Sequence, residues 1–83
     1  MTTPILLYGA DWCSDCRRAK NVLIAYGAAY TYLEVDKDEA ALARAVEISG
    51  AKSIPVIVWP DGSYLVEPEN ARLAAAIAAG SAR

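Results

Sequence analysis

The chain has 83 residues, 22% of them charged, a formal net charge of −2 and a sequence pI near 4.9. This length predicts one small domain, residues 1–83, with a core of limited size. The acidic balance argues against nucleic acid or an anionic membrane surface as the main partner, and no apolar run approaches the ~20 residues of a membrane-spanning helix.

The first half of the chain predicts a strand, a helix and a second strand. The apolar run Pro4–Tyr8 ends at Gly9 and is typical of a strand buried on both faces. From Cys13 the apolar spacing becomes three and four residues, which predicts a helix ending near Gly27. Its predicted buried stripe is Ala19, Val22, Leu23 and Tyr26. The aromatic and β-branched run Tyr30–Val35 predicts the second strand.

The next element is a helix that begins after Asp36 or Asp38 and runs to about Ser49. Either aspartate can accept hydrogen bonds from the first free N–H groups of this helix, and Gly50 is a natural stop. Its predicted buried stripe is Leu42, Ala45 and Val46.

The last third predicts a hairpin followed by a helix. Pro55–Trp59 is a third strand, Pro60–Gly62 is a tight turn, and Ser63–Val66 is the returning strand. Pro68 is suited to the start of the last helix, whose apolar positions are Leu73, Ala76 and Ile77. The predicted order is therefore β-α-β-α-β-β-α, an α/β fold with a four-stranded mixed sheet flanked by helices.

The segment YGADWCSDCRRAK, Tyr8 to Lys20, contains the chain's only two cysteines, Cys13 and Cys16. A cysteine at a helix start is favoured as a thiolate, because free N–H groups and the helix dipole stabilise negative charge there. Three-residue spacing places Cys16 within reach of Cys13 for a disulfide, one turn deeper. The pattern therefore favours Cys13 as the nucleophile and Cys16 as the resolving thiol.

Two other uses of the cysteine pair are weaker. A disulfide across so short a loop restricts the unfolded chain little, so a purely structural clip is disfavoured. Two cysteines without histidine cannot complete a tetrahedral zinc site in one chain, whereas a dimer with small-thiol ligands can hold a [2Fe–2S] cluster. Since the start of the chain lacks the pattern of a secretory signal, a cytoplasmic location is expected.

The chain resembles the glutaredoxin branch of the thioredoxin superfamily, and most closely the small actinobacterial glutaredoxin-like proteins that include mycoredoxins. WCSDC (12–16), SIPVIV (53–58) and DGSYLVEP (61–68) carry the resemblance. It implies the thioredoxin/glutaredoxin fold and a thiol–disulfide oxidoreductase with a Cys13/Cys16 dithiol. No bound cofactor or metal is implied, and a low-molecular-weight thiol, glutathione or mycothiol, is the implied co-substrate.

The resemblance also implies further site residues. Pro55 corresponds to the family's cis-proline, which would leave the Ile54 backbone free to pair with an extended substrate. Trp12 would flank the nucleophile. Independently of the resemblance, the basic residues Arg17, Arg18 and Lys20 form a patch beside the site, in which Arg17 is expected to hold a carboxylate of a small thiol or an acidic partner, or else to belong to a solvated helix face. Tyr8 and Trp59 are expected in the core.

Three departures from the family pattern bear on the reductant. Ser14-Asp15 replaces the frequent Pro-Tyr, Asp11 stands in the neighbourhood of a frequent lysine, and residues 66–69 (VEPE) replace a frequent Gly-Gly. We expect Asp15 to disfavour a nearby thiolate and so make the protein more reducing, or else to serve only as a solvated first-turn acid.

The implied partners are disulfide-bearing proteins or mixed disulfides, with a small thiol or a thiol reductase as electron source. The chain is expected to be a monomer. An alternative is a redoxin fed by thioredoxin reductase, and a less favoured one is the dimeric [2Fe–2S] protein.

Overall fold

The computed structural model describes residues 3–83. Its elements follow the order β1 (Ile5–Gly9), α1 (Ser14–Ala25), β2 (Tyr30–Glu34), α2 (Glu39–Ser49), β3 (Val56–Val58), β4 (Tyr64–Val66) and α3 (Asn70–Ala79). This order confirms the prediction from sequence, and each strand lies within one or two residues of its predicted bounds.

The four strands form one mixed sheet in the order β2-β1-β3-β4. β1 and β2 run parallel, with Leu7 opposite Tyr32, whereas β3 is antiparallel to both β1 and β4. The parallel pair follows from the crossover through α1, and the antiparallel pair from the tight turn between β3 and β4. The architecture is the predicted thioredoxin/glutaredoxin fold.

The sheet carries a core on each face, because successive strand residues point to opposite sides. α1 and α3 contribute to the larger cluster, which contains Ile5, Leu7, Ala19, Leu23, Ile57, Trp59, Leu73, Ala76 and Ala82. α2 covers the other face, with a cluster of Tyr8, Val35, Ala41, Ala45, Val56 and Val58. Tyr8 and Trp59 are buried, as expected, at 4% and 2% exposure.

Local capping signals account for the bounds of α2. The Asp38 carboxylate accepts hydrogen bonds from the amides of Ala40 and Ala41 at 3.0 and 3.1 Å, so Asp38 rather than Asp36 caps the helix. Gly50 ends the helix with a φ of 75°, a left-handed conformation that glycine adopts without penalty.

Three predictions of helix detail were wrong. Tyr26 is 57% exposed because it is the C-cap of α1, past the last turn that packs on the sheet. In α2 the buried residues are Ala41 and Ala45, while Leu42 and Val46 are half-buried. α3 begins at Asn70 rather than at Pro68, with Glu69 as an N-cap whose side chain makes no capping hydrogen bond.

The end of the chain is fastened to the turn between β3 and β4. The Asp61 carboxylate accepts hydrogen bonds from the hydroxyls of Ser63 and Ser81. The Ser63 hydroxyl accepts from the amide of Ala82 at 2.9 Å, and Arg72 donates to the Ala82 carbonyl at 2.6 Å. These contacts hold the buried Ala82 side chain in the larger core.

Candidate active site

Cys13 lies in the turn between β1 and α1, at the carboxyl end of the parallel strands. It is the N-cap of α1, with extended backbone angles, and its amide donates to the carbonyl of Ala10 at 3.1 Å. Its Sγ accepts a hydrogen bond from the amide of Cys16 at 3.4 Å. The sulfur of this partly exposed residue thus accepts one of the first free N–H groups at the start of the helix.

Cys16 is buried at 1% exposure, one turn into α1. Burial, followed by its hydrogen bond with Cys13, raises the pKa of the Cys16 thiol to about 12. Both cysteines are free thiols. The pair therefore consists of one partly exposed cysteine and one buried cysteine whose thiol pKa is raised.

Gly9 forms the wall against which the Cys16 thiol packs. A Cβ at position 9 would lie 2.9 Å from Cys16 Sγ, 3.1 Å from Cys16 Cβ and 3.4 Å from Cε1 of Tyr32. Only a residue without a side chain fits there, since real Cβ contacts essentially never fall below 3.0 Å. From the sequence, Gly9 is predicted only to end the first strand.

Asp11 ties the turn before Cys13 to the neighbouring elements. Its carboxylate accepts a hydrogen bond from the Tyr32 hydroxyl at 2.9 Å, and its carbonyl accepts one from Arg17 at 2.8 Å. The Tyr32 hydrogen bond is the main reason why the pKa of the Asp11 carboxyl is lowered, while burial raises the pKa of Tyr32. The ammonium of Lys20 lies 4.2 Å from the centre of the Tyr32 ring.

Trp12 is the most exposed large apolar side chain of the described residues, at 69%. Its indole N–H donates to the Asp36 carboxylate at 3.1 Å, across the gap between the β1–α1 and β2–α2 loops. The ring therefore lies open to solvent directly before Cys13, and one hydrogen bond fixes its orientation.

The two charged residues nearest the cysteines each have a partner. Asp15 forms a partly exposed ion pair with Arg18 at 3.0 Å, and the charge of Asp15 is the smallest of the influences that raise the pKa of Cys16. The Arg17 guanidinium donates to the Asp11 carbonyl, and this hydrogen bond stabilises the turn and does not involve Cys13.

The Ile54–Pro55 peptide bond is cis, as the resemblance implies, and the Pro55 side chain is buried. The Pro55 carbonyl accepts a hydrogen bond from the amide of Glu67 at 2.9 Å. Ile54 is half-buried and makes no backbone–backbone hydrogen bond within residues 3–83. Glu67 has a φ of 48°, in the left-handed region that favours glycine.

The sequence does not predict the site contacts of Gly9, Tyr32 and Asp36, nor the conformation of Glu67. A glycine that ends a buried strand shortly before a pair of cysteines could have indicated that a cysteine side chain packs against that position. The side-chain pairs Asp11–Tyr32 and Trp12–Asp36 are 21 and 24 residues apart and depend on how the loops meet.

Residues 3–83 contain no group of three or more histidine, cysteine, aspartate or glutamate side chains placed to hold a metal ion. None of their helices is long and apolar enough to cross a membrane.

The sequence profile of the Glutaredoxin family matches residues 5–64, and the chain belongs to that family. Mycoredoxin 1 of Corynebacterium glutamicum is 30% identical over 76 residues, which are 90% of this chain and 94% of that protein. A Mycobacterium tuberculosis protein whose name assigns it provisionally to the glutaredoxins is 29% identical over 69 residues, 82% of each chain.

Among solved structures, the glutaredoxin grx-1 of Archaeoglobus fulgidus superposes with a TM-score of 0.74 and 27% identity. The match covers 83% of this chain and 79% of that one. Family membership and the adjacent cysteines together support a thiol–disulfide redox role.

Proposed function

We propose that the whole chain acts as one domain, a dithiol oxidoreductase of the glutaredoxin or mycoredoxin type. The observation that carries this proposal is the unequal cysteine pair. Cys13 is accessible at the start of α1, its sulfur accepts the Cys16 amide, and Cys16 is buried directly behind it. This arrangement provides one sulfur for attack and one for resolution.

In the proposed reaction the Cys13 thiolate attacks one sulfur of a substrate disulfide. A Cys13–substrate disulfide forms, and the other substrate sulfur leaves as a thiolate that takes up a proton. Cys16 then attacks Cys13 Sγ, and its proton passes to the departing substrate thiolate. The chain is left with a Cys13–Cys16 disulfide, and the substrate has gained two electrons and two protons.

The electrons return from a low-molecular-weight thiol. Two thiol molecules reduce the Cys13–Cys16 disulfide and become one small-molecule disulfide, so the electrons balance. The 30% identity to Mycoredoxin 1 makes mycothiol the first thiol to test and glutathione the second. VEPE at residues 66–69 stands where the family frequently has Gly-Gly, which leaves the choice to experiment.

We assign the neighbouring residues to substrate binding. The exposed ring of Trp12, which directly precedes Cys13 in the chain, offers apolar contact to a bound thiol or peptide. The unpaired backbone of Ile54, next to Pro55, pairs with an extended substrate as a short β-augmentation. Arg17 holds a carboxylate, and Asp15 adjusts the redox potential.

The test is turnover of a mixed disulfide between the reducing thiol and 2-mercaptoethanol, with mycothiol or glutathione as reductant. We expect activity in the wild type, none in Cys13→Ser, and retained activity in Cys16→Ser, because a second small thiol can resolve the Cys13 mixed disulfide. Failure of both thiols to support turnover, in the wild type and in Cys16→Ser, would contradict the proposal.

A further inference from the structure

A shallow groove of about 500 Å³ runs along α1 and begins at Ser14, the residue that follows Cys13. One wall is the side of α1 from Ser14 to the C-cap Tyr26, and Asn70 at the start of α3 contributes to the other. Neither Trp12 nor Ile54 lines this groove.

The groove is basic on a chain whose net charge is −2. Arg17 and Arg18 line it, and none of the described lining residues is acidic. The charge of Arg18 is partly neutralised by Asp15, but Arg17 donates its hydrogen bond to a neutral carbonyl, that of Asp11. A guanidinium has five N–H donors, so Arg17 retains both its charge and free donors for a carboxylate.

The groove changes character along its length. Its charged part lies at Arg17 and Arg18, near Cys13, and its far part is lined by Val22 and Tyr26. Ser14 and Tyr26 are 12 residues apart, about 18 Å along the helix axis. An extended polypeptide covers that distance with five or six residues, which favours a protein segment over a small thiol.

We propose that this groove binds an acidic segment next to the reactive cysteine of a disulfide-bearing protein substrate. The proposal rests on the redox function given above. Arg17 is one helical turn from Cys13, about 6 Å along the axis. The substrate carboxylate that pairs with Arg17 therefore belongs to a residue about two positions from the substrate cysteine. An apolar side chain farther along the substrate contacts Val22 and Tyr26.

The experiment measures single-turnover reduction by the pre-reduced protein, which needs no external thiol. The substrates are hexapeptides whose cysteine forms a disulfide with 2-mercaptoethanol. A leucine lies five residues after the cysteine, and Glu, Gln or Lys lies two residues after it. A second set carries the same residues before the cysteine. Bis(2-hydroxyethyl) disulfide is the uncharged reference substrate.

In the wild type we expect the Glu peptide of one set to react about three- to ten-fold faster than the Lys peptide, as for partly exposed ion pairs. High salt should reduce this ratio towards one. In Arg17→Glu the Lys peptide should react faster than the Glu peptide, which reverses the wild-type ratio. Arg44→Glu, on α2 over the opposite face of the sheet, is the charge-matched control and should leave it unchanged.

The docking proposal would be overturned if Glu and Lys peptides reacted at equal rates in both sets. It would also be overturned if Arg17→Glu kept the wild-type ratio of Glu-peptide to Lys-peptide rates. Neither result would contradict the proposed redox function. If Arg17→Glu slowed the reduction of glutathione or mycothiol mixed disulfides only, Arg17 would be assigned to binding of the small thiol. This result would also overturn the docking proposal. No reduction of the uncharged reference by the wild type would overturn the proposed function, and this inference with it.

Discussion

The backbone amide of Cys16 donates a hydrogen bond to the sulfur of Cys13, yet the two side chains differ sharply in exposure. Helix geometry brings the sulfurs together, while the packing of α1 on the sheet buries only the second one. The spacing of the two cysteines on the helix thus sets their contact, whereas the packing of α1 sets which of them solvent can reach.

This difference predicts selective alkylation of the reduced protein. Iodoacetamide at pH 7–8 should modify Cys13 and leave Cys16 unmodified, because a buried thiol with a pKa near 12 offers almost no thiolate. Peptide mass spectrometry after a native pulse and a denaturing chase identifies each site. Modification of Cys16 before Cys13 would contradict the assignment of roles.

The same thiol predicts a loss of stability in alkali. The pKa of Cys16 is raised from 9.0 to about 12, so between these values the unfolded chain releases a proton that the folded chain retains. Stability from this group is therefore complete below pH 9 and falls as pH rises towards 12. Urea unfolding of the reduced protein should show a steeper decline above pH 9 than Cys16→Ala, and equal slopes would contradict it.

Gly9→Ala should lower the free energy of unfolding by about 1–3 kcal/mol, because the new Cβ overpacks the space occupied by the Cys16 thiol. The double variant Gly9→Ala/Cys16→Ala removes the clashing sulfur and should lose less than the sum of the single variants. Denaturant unfolding measures all three. Strict additivity would show that position 9 and Cys16 are not in contact.

Asp15→Asn should make the redox midpoint less negative, since it removes a negative charge that disfavours a thiolate on the dithiol form. The carboxylate is half-exposed and paired with Arg18, so the expected change is on the order of 10 mV. Arg18→Gln should move the midpoint in the opposite direction. Equilibration with a thiol redox buffer measures it, and an unchanged or lower potential in Asp15→Asn would refute the tuning role.

Asp61 predicts an acid-sensitive component of stability. Hydrogen bonds from Ser63 and Ser81 lower the pKa of its carboxyl from 3.8 to about 2. The stabilisation is complete above pH 3.8 and is lost as pH falls towards 2. The difference in Tm between wild type and Asp61→Asn should therefore shrink across this window. Glu47→Gln, which breaks only the exposed pair with Arg44, is the charge-matched control.

Glu67→Gly should stabilise the fold. A non-glycine residue in the left-handed region destabilises the folded state by about 1–2 kcal/mol. Glycine removes this strain but loses more conformational entropy on folding, so we expect the free energy of unfolding to rise by only about 0.5 kcal/mol. Glu69→Gly, at a φ of −68°, is the control and should give no gain. A loss of stability in Glu67→Gly would show that the Glu67 side chain makes a compensating contact.

The parts of the fold that were predictable from sequence depend on local chemistry. Asp38 and Gly50 bound α2 through their own caps, and the crossover between Ile5–Gly9 and Tyr30–Glu34 requires parallel strands. The start of α3 was misplaced because Pro68 suits a first helical position but lies before the Glu69 cap.

The candidate site likewise has some features that short sequence motifs predict and others that depend on the folded structure. The cysteine pair and the cis-proline are recognisable from short motifs, whereas the Asp11–Tyr32 and Trp12–Asp36 contacts depend on loop placement. The need for glycine at position 9 appears only once the Cys16 thiol has a position in space.

The contrast between the two tryptophans gives this chain a built-in pair of optical probes. Trp12 is exposed to solvent and directly precedes Cys13 in the chain, and Trp59 is enclosed in the larger core. Emission from the first should respond when Cys13 is oxidised or occupied, while emission from the second should respond only when the core opens. A Trp12→Phe chain isolates the folding signal, so chemistry at the site and integrity of the fold can be followed separately without any label.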